Sequence, residues 1–222
     1  MWLTTHLRRI GFVVLALVLM GFAGLSTWHG VRIAWADANT LAVRWTINQW
    51  RDGKGPVYTP ELWAQLRDEL LAGLQITPDN PQLLEDLGYL HASRAVAMGW
   101  PKMDSAEEVT RQSLLAEAID NYYAATELRP TFPYSWAYIA LAKHLKGHQD
   151  AEFWVAFDKA LRYGSFAEGV QPVLAKLAFA QWTKLAPQRR KGITLMITSS
   201  KGKSRQILMR MIEKAGVVIP GA

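Results

Sequence analysis

The sequence predicts an all-α protein in which a single N-terminal transmembrane helix precedes a tetratricopeptide-like α-helical repeat domain. Three observations carry that expectation. Residues 10–28 form a run of 19 positions without a formal charge. The remaining chain is punctuated by helix-start signals and shows no sustained period-two alternation of the kind a half-buried strand needs, apart from the short run 192–197, which reads equally well as helix. Large and small residues also recur at a spacing of about 34, as stacked two-helix units require.

The apolar run reads IGFVVLALVLMGFAGLSTW. At about 1.5 Å per residue it spans roughly 28 Å, close to a hydrocarbon core of about 30 Å. It is also apolar on every face, unlike a helix on the surface of a soluble domain. Arg8, Arg9 and His6 sit just before it, and Trp28 falls where an interfacial aromatic would lie. The positive-inside rule then keeps residues 1–9 in the cytoplasm and exports the bulk of the chain. The expected arrangement is a single-pass anchor over 10–30 in a bacterial inner membrane, touching lipid through 10–28, with the main domain in the periplasm. A competing reading is a cleaved signal peptide, cut after Ala34-Trp35-Ala36. Against it, that site lies well past the apolar run, and His29 and Arg32 intervene. Either reading exports the domain.

Residues 31–58 are expected to form a membrane-proximal helix and linker. No glycine or proline occurs from 31 to 52, and Gly53-Lys54-Gly55-Pro56 then breaks the helix. Thr59-Pro60-Glu61, Asn80-Pro81 and the capping-box pattern Ser105-x-x-Glu108 each mark a new start. Between 59 and 166 the repeat pattern is visible. Leu84-x-x-Leu87-Gly88-x-x-His91 reads as the first helix of a unit, and Ala118, Tyr122, Ala125 and Pro130 as its second. The next unit opens with Trp136-x-x-Ile139-Ala140, turns at Gly147 and continues through Phe153 and Phe157 to Ala160, one residue out of register. Leu66, Leu70, Gly73 and Pro78 match only a second helix, whose partner is sought in residues 35–51. Between Gly88 and Ala118 there are about 18 residues more than a regular repeat allows, so the 98–106 region must lengthen the hairpin or protrude. Residues 167–222 are expected to be a C-terminal helical cap with a basic tail, with helices near 168–185, 188–199 and 203–215.

Composition excludes several chemistries. The chain has no cysteine, so disulfides, thiolate metal sites, iron–sulfur clusters and a cysteine nucleophile are out. The formal charge of +6 is not evenly spread. Residues 187–222 carry eight basic side chains against the single acid Glu213, whereas the rest of the chain holds 17 basic and 18 acidic groups. His144 and His148 have the spacing of two zinc ligands on one helix face, but Gly147 interrupts them and no third ligand is apparent, so a solvated turn is expected. The acid pairs Asp68-Glu69 and Glu107-Glu108 are sequence neighbours about 100° apart on a helix, which suits surface solvation rather than paired acid–base catalysis. No nucleophile elbow, phosphate-binding loop or zinc-protease motif is present. No catalytic residue, metal or cofactor is therefore expected.

The order of features has a family resemblance. The anchor is followed by Thr77-Pro78-Asp79-Asn80-Pro81-x-x-Leu84-x-x-Leu87-Gly88, then by the aromatic-rich 118–130 helix and Arg129-Pro130-Thr131-Phe132-Pro133-Tyr134-Ser135-Trp136-Ala137. Together these resemble VpsP-like proteins found with bacterial exopolysaccharide-biosynthesis genes, and the last stretch is also similar to repeats attached to some O-antigen polymerase-type proteins. The resemblance implies an inner-membrane accessory protein of polysaccharide assembly or export, and it brings no catalytic residue with it.

The expected function is accordingly a non-enzymatic, membrane-anchored scaffold of an envelope assembly. Repeat phase assigns Tyr122, Arg129, Tyr138 and Lys143 to a partner-binding groove for protein subunits of an inner-membrane complex. The basic tail, with Arg189, Arg190, Lys201, Lys203, Arg205 and Arg210, is a second candidate contact surface. Three readings compete for it: first a solvated outer face, then a contact for anionic lipid, or a contact for an acidic protein or polysaccharide; nucleic acid is not expected for an exported domain. Two further hypotheses stand beside this one: a periplasmic chaperone-like subunit in protein translocation or cytochrome maturation, and a polysaccharide-modifying activity in the C-terminal helices.

Overall fold

A computed structural model describes the backbone of residues 2–221 and the side chains of residues 11–221. Among these residues there are nine α-helices and no strand. Helix α1 (Trp2–Arg51) is 50 residues long, about 75 Å at the helical rise. It is followed by α2 (Pro60–Ile76), α3 (Pro81–Ala97), α4 (Ala106–Leu128), α5 (Pro133–Leu145), α6 (Ala151–Gly164), α7 (Gln171–Phe179), α8 (Pro187–Ser199) and α9 (Gly202–Ala215), with a 3-10 turn at Trp182–Lys184. Gly11–Arg51 is long and apolar enough to cross a membrane. The side chains of Arg8 and Arg9, on which the expected orientation rests, lie outside the described residues.

The helix boundaries follow the local chemistry. The Thr59 hydroxyl accepts from the Leu62 amide at 3.1 Å, and the Asn80 side chain accepts from the amides of Gln82 and Leu83. Ser105 accepts from the Glu108 amide at 3.1 Å, and Asp150 accepts from Phe153 at 2.8 Å. Each such cap satisfies a backbone donor that would otherwise be orphaned, worth about 1 kcal/mol. Glu108 does not complete a capping box; its carboxylate takes a hydrogen bond from Gln112 instead. The surplus between Gly88 and Ala118 goes partly into α4, which is 23 residues long, and partly into the loop at 98–105. The 192–197 stretch is helical, inside α8.

Consecutive helices pack against each other from α1 to α6, and α1, α3, α5 and α7 form an unbroken layer. The part of α1 that follows the apolar run packs into the domain: Ala36, Thr40, Val43 and Ile47 are all fully buried. Their spacing of four, three and four puts them on one helical face. Two contacts tie α2 to α1. The Arg32 guanidinium donates to the Ile76 carbonyl at the end of α2, and the Trp50 indole donates to Pro56 in the connecting loop at 2.9 Å. The α1 end nearer the apolar span thus meets the C-terminus of α2. The 98–105 loop, by contrast, lies at the far end of the stack.

Two glycines mark close helix crossings in the first half of the stack. A Cβ on Gly73 would come within 2.5 Å of the Thr40 methyl, and one on Gly88 within 2.8 Å of the Tyr122 ring. The core divides into two neighbouring clusters. One contains Val43, Ile47, Leu70, Leu83, Leu87 and Leu90, and the other Tyr122, Ile139, Phe153, Phe157, Leu174 and Ile193. Gly88→Ala tests the crossing directly. In an exposed helix this change gains up to about 1 kcal/mol. Here the methyl must displace a fully buried ring, so a net loss of about 1–3 kcal/mol is expected in chemical denaturation. Adding Tyr122→Leu should recover part of it.

Candidate functional site

Helix α3 turns Leu83, Leu87 and Leu90 into the core. The same helix carries two acids that are also buried, Asp86 at the edge of that face and Glu85 on the opposite one. Arg51 Nη2 lies 2.8 Å from Asp86 Oδ1, Arg44 Nε lies 3.8 Å from Oδ2, and Gln82 Nε2 donates to Oδ1 at 3.2 Å. Glu85 is held by Arg129 Nη2 at 2.7 Å and accepts a short hydrogen bond from the Ser135 hydroxyl. Burial pushes both carboxyls above the usual carboxylate range, against the pull of Arg51 on Asp86 and of Ser135 and Arg129 on Glu85. The Arg51 guanidinium also lies over the Tyr89 ring at 4.7 Å. Tyr138 stacks on Tyr122 with ring centroids 5.5 Å apart. Burial raises the phenols of Tyr89, Tyr122 and Tyr138, keeping them neutral. The result is a layer of paired charge and aromatic rings joining α1, α3, the end of α4, and α5.

The four residues assigned to a groove fall in different surroundings. Tyr122 is 1% exposed and fills the gap opposite Gly88, so it belongs to the interior and offers a partner no surface. The alanines flanking it allow the helices to approach, and the ring occupies the space between them. Arg129 caps the end of α4, with its guanidinium over Phe132 at 4.1 Å and its charge spent on Glu85. Tyr138 is half-buried beside them. Tyr122, Arg129 and Tyr138 therefore converge around Glu85. Lys143 does not join them: it is buried at the other end of α5, with its ammonium 2.9 Å from Asp150 and 2.7 Å from Glu152. Burial draws its pKa down, but the hydrogen bonds to Glu152 and Asp150 outweigh that, so it is raised and the charge is held. The residues that sequence reasoning missed are Arg44, Arg51, Glu85, Asp86, Tyr89 and Ser135. The one available signal was an acidic pair set between core leucines Leu83 and Leu87.

The basic tail separates into two groups. Arg189 makes a bidentate pair with Asp158, both bonds at 2.8 Å, and lies over the Trp154 ring at 4.3 Å. Arg190 donates to the Trp182 carbonyl at 2.8 Å and faces the same indole. These two hold α8 onto its neighbours. Arg205 is half-buried, with a long contact of 3.5 Å to the Thr198 carbonyl. Lys201, Lys203 and Arg210 are exposed at α9, whose Ser204 and Leu208 pack inward. Of the six basic residues singled out in the tail, Lys201, Lys203 and Arg210 are the exposed ones.

At the far end of the stack, Trp100 is 78% exposed and lies over the Arg111 guanidinium at 4.5 Å. Arg111 is itself buried and donates to the carbonyls of Gly99 and Leu145, fastening the loop to α5. Beside them is an apolar cleft of about 250 Å³ between Val96, Trp100, Leu115, Leu141, Leu145 and Lys176. His91 is buried against Glu117 Oε2 at 2.7 Å; burial, aided by Arg67 and Arg94, lowers its pKa despite that carboxylate. No group of three or more His, Cys, Asp or Glu placed to hold a metal occurs among the described residues, and His144 and His148 do not form one.

Comparison with known protein families finds no match to this chain, and comparison with curated proteins finds none either. The geometry itself gives a test of the charged layer. Arg51→Ala leaves Asp86 with the neutral Gln82 amide and the distant Arg44 as its remaining partners, and breaking a buried pair costs about 3–5 kcal/mol. Arg51 is partly exposed, so the lower end is expected. Denaturation of the detergent-solubilised chain should show that loss, and Arg51→Met combined with Asp86→Leu should restore most of it, because no carboxylate is then left at position 86 without its partner.

Proposed function

We propose that this chain is a non-enzymatic scaffold, anchored in a bacterial inner membrane by residues 10–28, which presents a tetratricopeptide-like stack of helices in the periplasm. The observation that carries this reading is the continuity of α1. The same helix contains the span-length apolar segment and then supplies Ala36, Thr40, Val43 and Ile47 to the core. A domain built onto its own anchor helix is held at a fixed distance from the bilayer, which suits positioning a partner rather than turning over a diffusing substrate.

The repeat reading draws support from the packing. The pairs α1–α2, α3–α4 and α5–α6 are each in contact, their first helices share one layer, and glycines sit at two of the crossings. Stacked helical pairs present an extended face and commonly bind other proteins. The partner is sought among inner-membrane subunits that assemble or export exopolysaccharide, a class that rests on the resemblance to VpsP-like proteins. On this reading the contact face is the rim of the charged layer, where Tyr89 and Tyr138 keep exposed ring surface. Lys201, Lys203 and Arg210 form a second contact for acidic groups.

Affinity purification of the intact protein from membranes, combined with protease protection, tests both parts. The scaffold reading expects digestion of the domain only from the periplasmic side. It also expects glycosyltransferase or polysaccharide-export subunits in the eluate, depleted about tenfold by Tyr89→Ala with Tyr138→Ala. Digestion from the cytoplasmic side would reverse the orientation. Haem-ligation or translocation subunits in the eluate would favour the chaperone-like alternative.

A further inference from the structure

Beyond the span-length segment, α1 has a second long face that the domain does not cover. Trp28 is 61%, Trp35 63% and Trp45 59% exposed, and Val31 and Leu41 are exposed as well. Ala34, Ala38 and Ala42 lie exposed between them. Trp28, Val31, Trp35, Ala38, Ala42 and Trp45 are separated by alternating steps of three and four. That is a period of 3.5, the seam of a left-handed coiled coil rather than of a straight surface helix. The buried positions Ala36, Thr40, Val43 and Ile47 fall on the other side of the helix. The domain therefore occupies one face and leaves the seam open.

We propose that this seam pairs with the same seam of a second copy, giving a parallel two-stranded coiled coil around a twofold axis normal to the membrane. The proposal rests on the anchored reading of α1. Lipid does not cover the seam beyond Trp28: Trp45 lies about 26 Å further along the helix, and Asp37, Arg44 and Asn48 share that stretch. Continued toward the N-terminus, the same seven-residue frame passes through Gly24, Gly21 and Leu17. An addition at either glycine meets no atom of this chain within 4 Å. Small residues at such positions let membrane helices approach closely. A partner must therefore follow the seam out of the bilayer and into it in the same direction, which a second anchored copy does by construction.

Size and charge agree with that partner. Tryptophan side chains bury about 150–250 Å² each. At the observed exposures, three of them in each of two copies supply roughly 800 Å² of the approximately 1,000 Å² that a specific interface needs. Val31, Ala38 and Ala42 with their symmetry mates supply the rest. Every tryptophan on the seam has a valine or alanine as its neighbour along it, so each indole can seat beside a smaller side chain. No charged residue occupies it. At the flanks, Ala34 and Leu41 lie on one side and Asn39 and Thr46 on the other, while Arg32 is turned to the Ile76 carbonyl. A parallel pair thus opposes no like charges.

The absence of native cysteine makes the test clean. Ala38→Cys and Ala42→Cys are placed on the seam, and Ile33→Cys on an exposed position off it. Mild oxidation of membranes containing each full-length variant should give a covalent product of twice the chain mass at 38 and 42, at least tenfold above that at 33. Trp35→Glu in the Ala42→Cys background should reduce it about tenfold. No dimer at 38 and 42, equal dimer at 33, or a product whose added mass is a different protein would overturn self-pairing. Retention of the chain in carbonate-washed membranes, measured on the same samples, reports the anchor separately. A chain that is retained but undimerised refutes the pairing alone, and a chain that is washed away refutes the anchor whatever the cross-link shows.

Discussion

The structure turns on Asp86, a carboxylate buried between α1 and α3 with Arg51 at 2.8 Å and Arg44 at 3.8 Å. Such a group is tolerated only when its charge is compensated, because desolvation of an unpaired carboxylate costs several kcal/mol. Both compensating guanidiniums come from α1, one turn and three turns beyond its buried Thr40. The pairing therefore specifies where α1 lies along α3, and hence how far the domain stands from the apolar segment. Apolar contacts alone would allow α1 to slide by a turn, since Val43 and Ile47 are similar in shape. The buried pair penalises that slide, because it would leave Asp86 without a partner.

Around that constraint, α1 is divided by face. One face is core, another carries Asp37, Arg44 and Arg51, and a third is the exposed indole seam. Their coexistence fits a 50-residue helix that has no glycine or proline from residue 31 to its end. A break there would decouple the apolar segment from the stack. Glu85 performs a related task on the other flank. It gathers Arg129 from the end of α4 and Ser135 from the start of α5, so the short connection between those helices is tied to α3.

Much of the architecture was legible in the sequence because it depends on local rules. Thr59, Asn80 and Ser105 announce helix starts through hydrogen bonds within their own turn. Gly73 and Gly88 are readable because glycine inside a helix is costly unless a crossing needs the space. The charged layer was far less legible. Arg51 and Asp86 are 35 positions apart, and nothing local links them; their pairing exists only once α1 and α3 lie side by side. Tyr122 shows the opposite failure. Its phase was visible, but phase alone does not distinguish the ring that fills a crossing from one that faces out. The tail charges divide for the same reason: Arg189 and Arg190 find Asp158 and Trp182 through tertiary packing, while Lys201, Lys203 and Arg210 stay exposed, Arg210 reaching only the Gln206 carbonyl of its own helix.

Amide hydrogen exchange along residues 29–51 of the full-length protein in lipid discs tests the continuity of α1 most directly. The account predicts unbroken protection across this segment, slowest at Ala36, Thr40, Val43 and Ile47, with no fast-exchanging amides between Trp28 and Ala36. Exchange near unstructured rates anywhere between His29 and Trp35 would reveal a hinge, and would contradict a single helix joining the apolar segment to the domain.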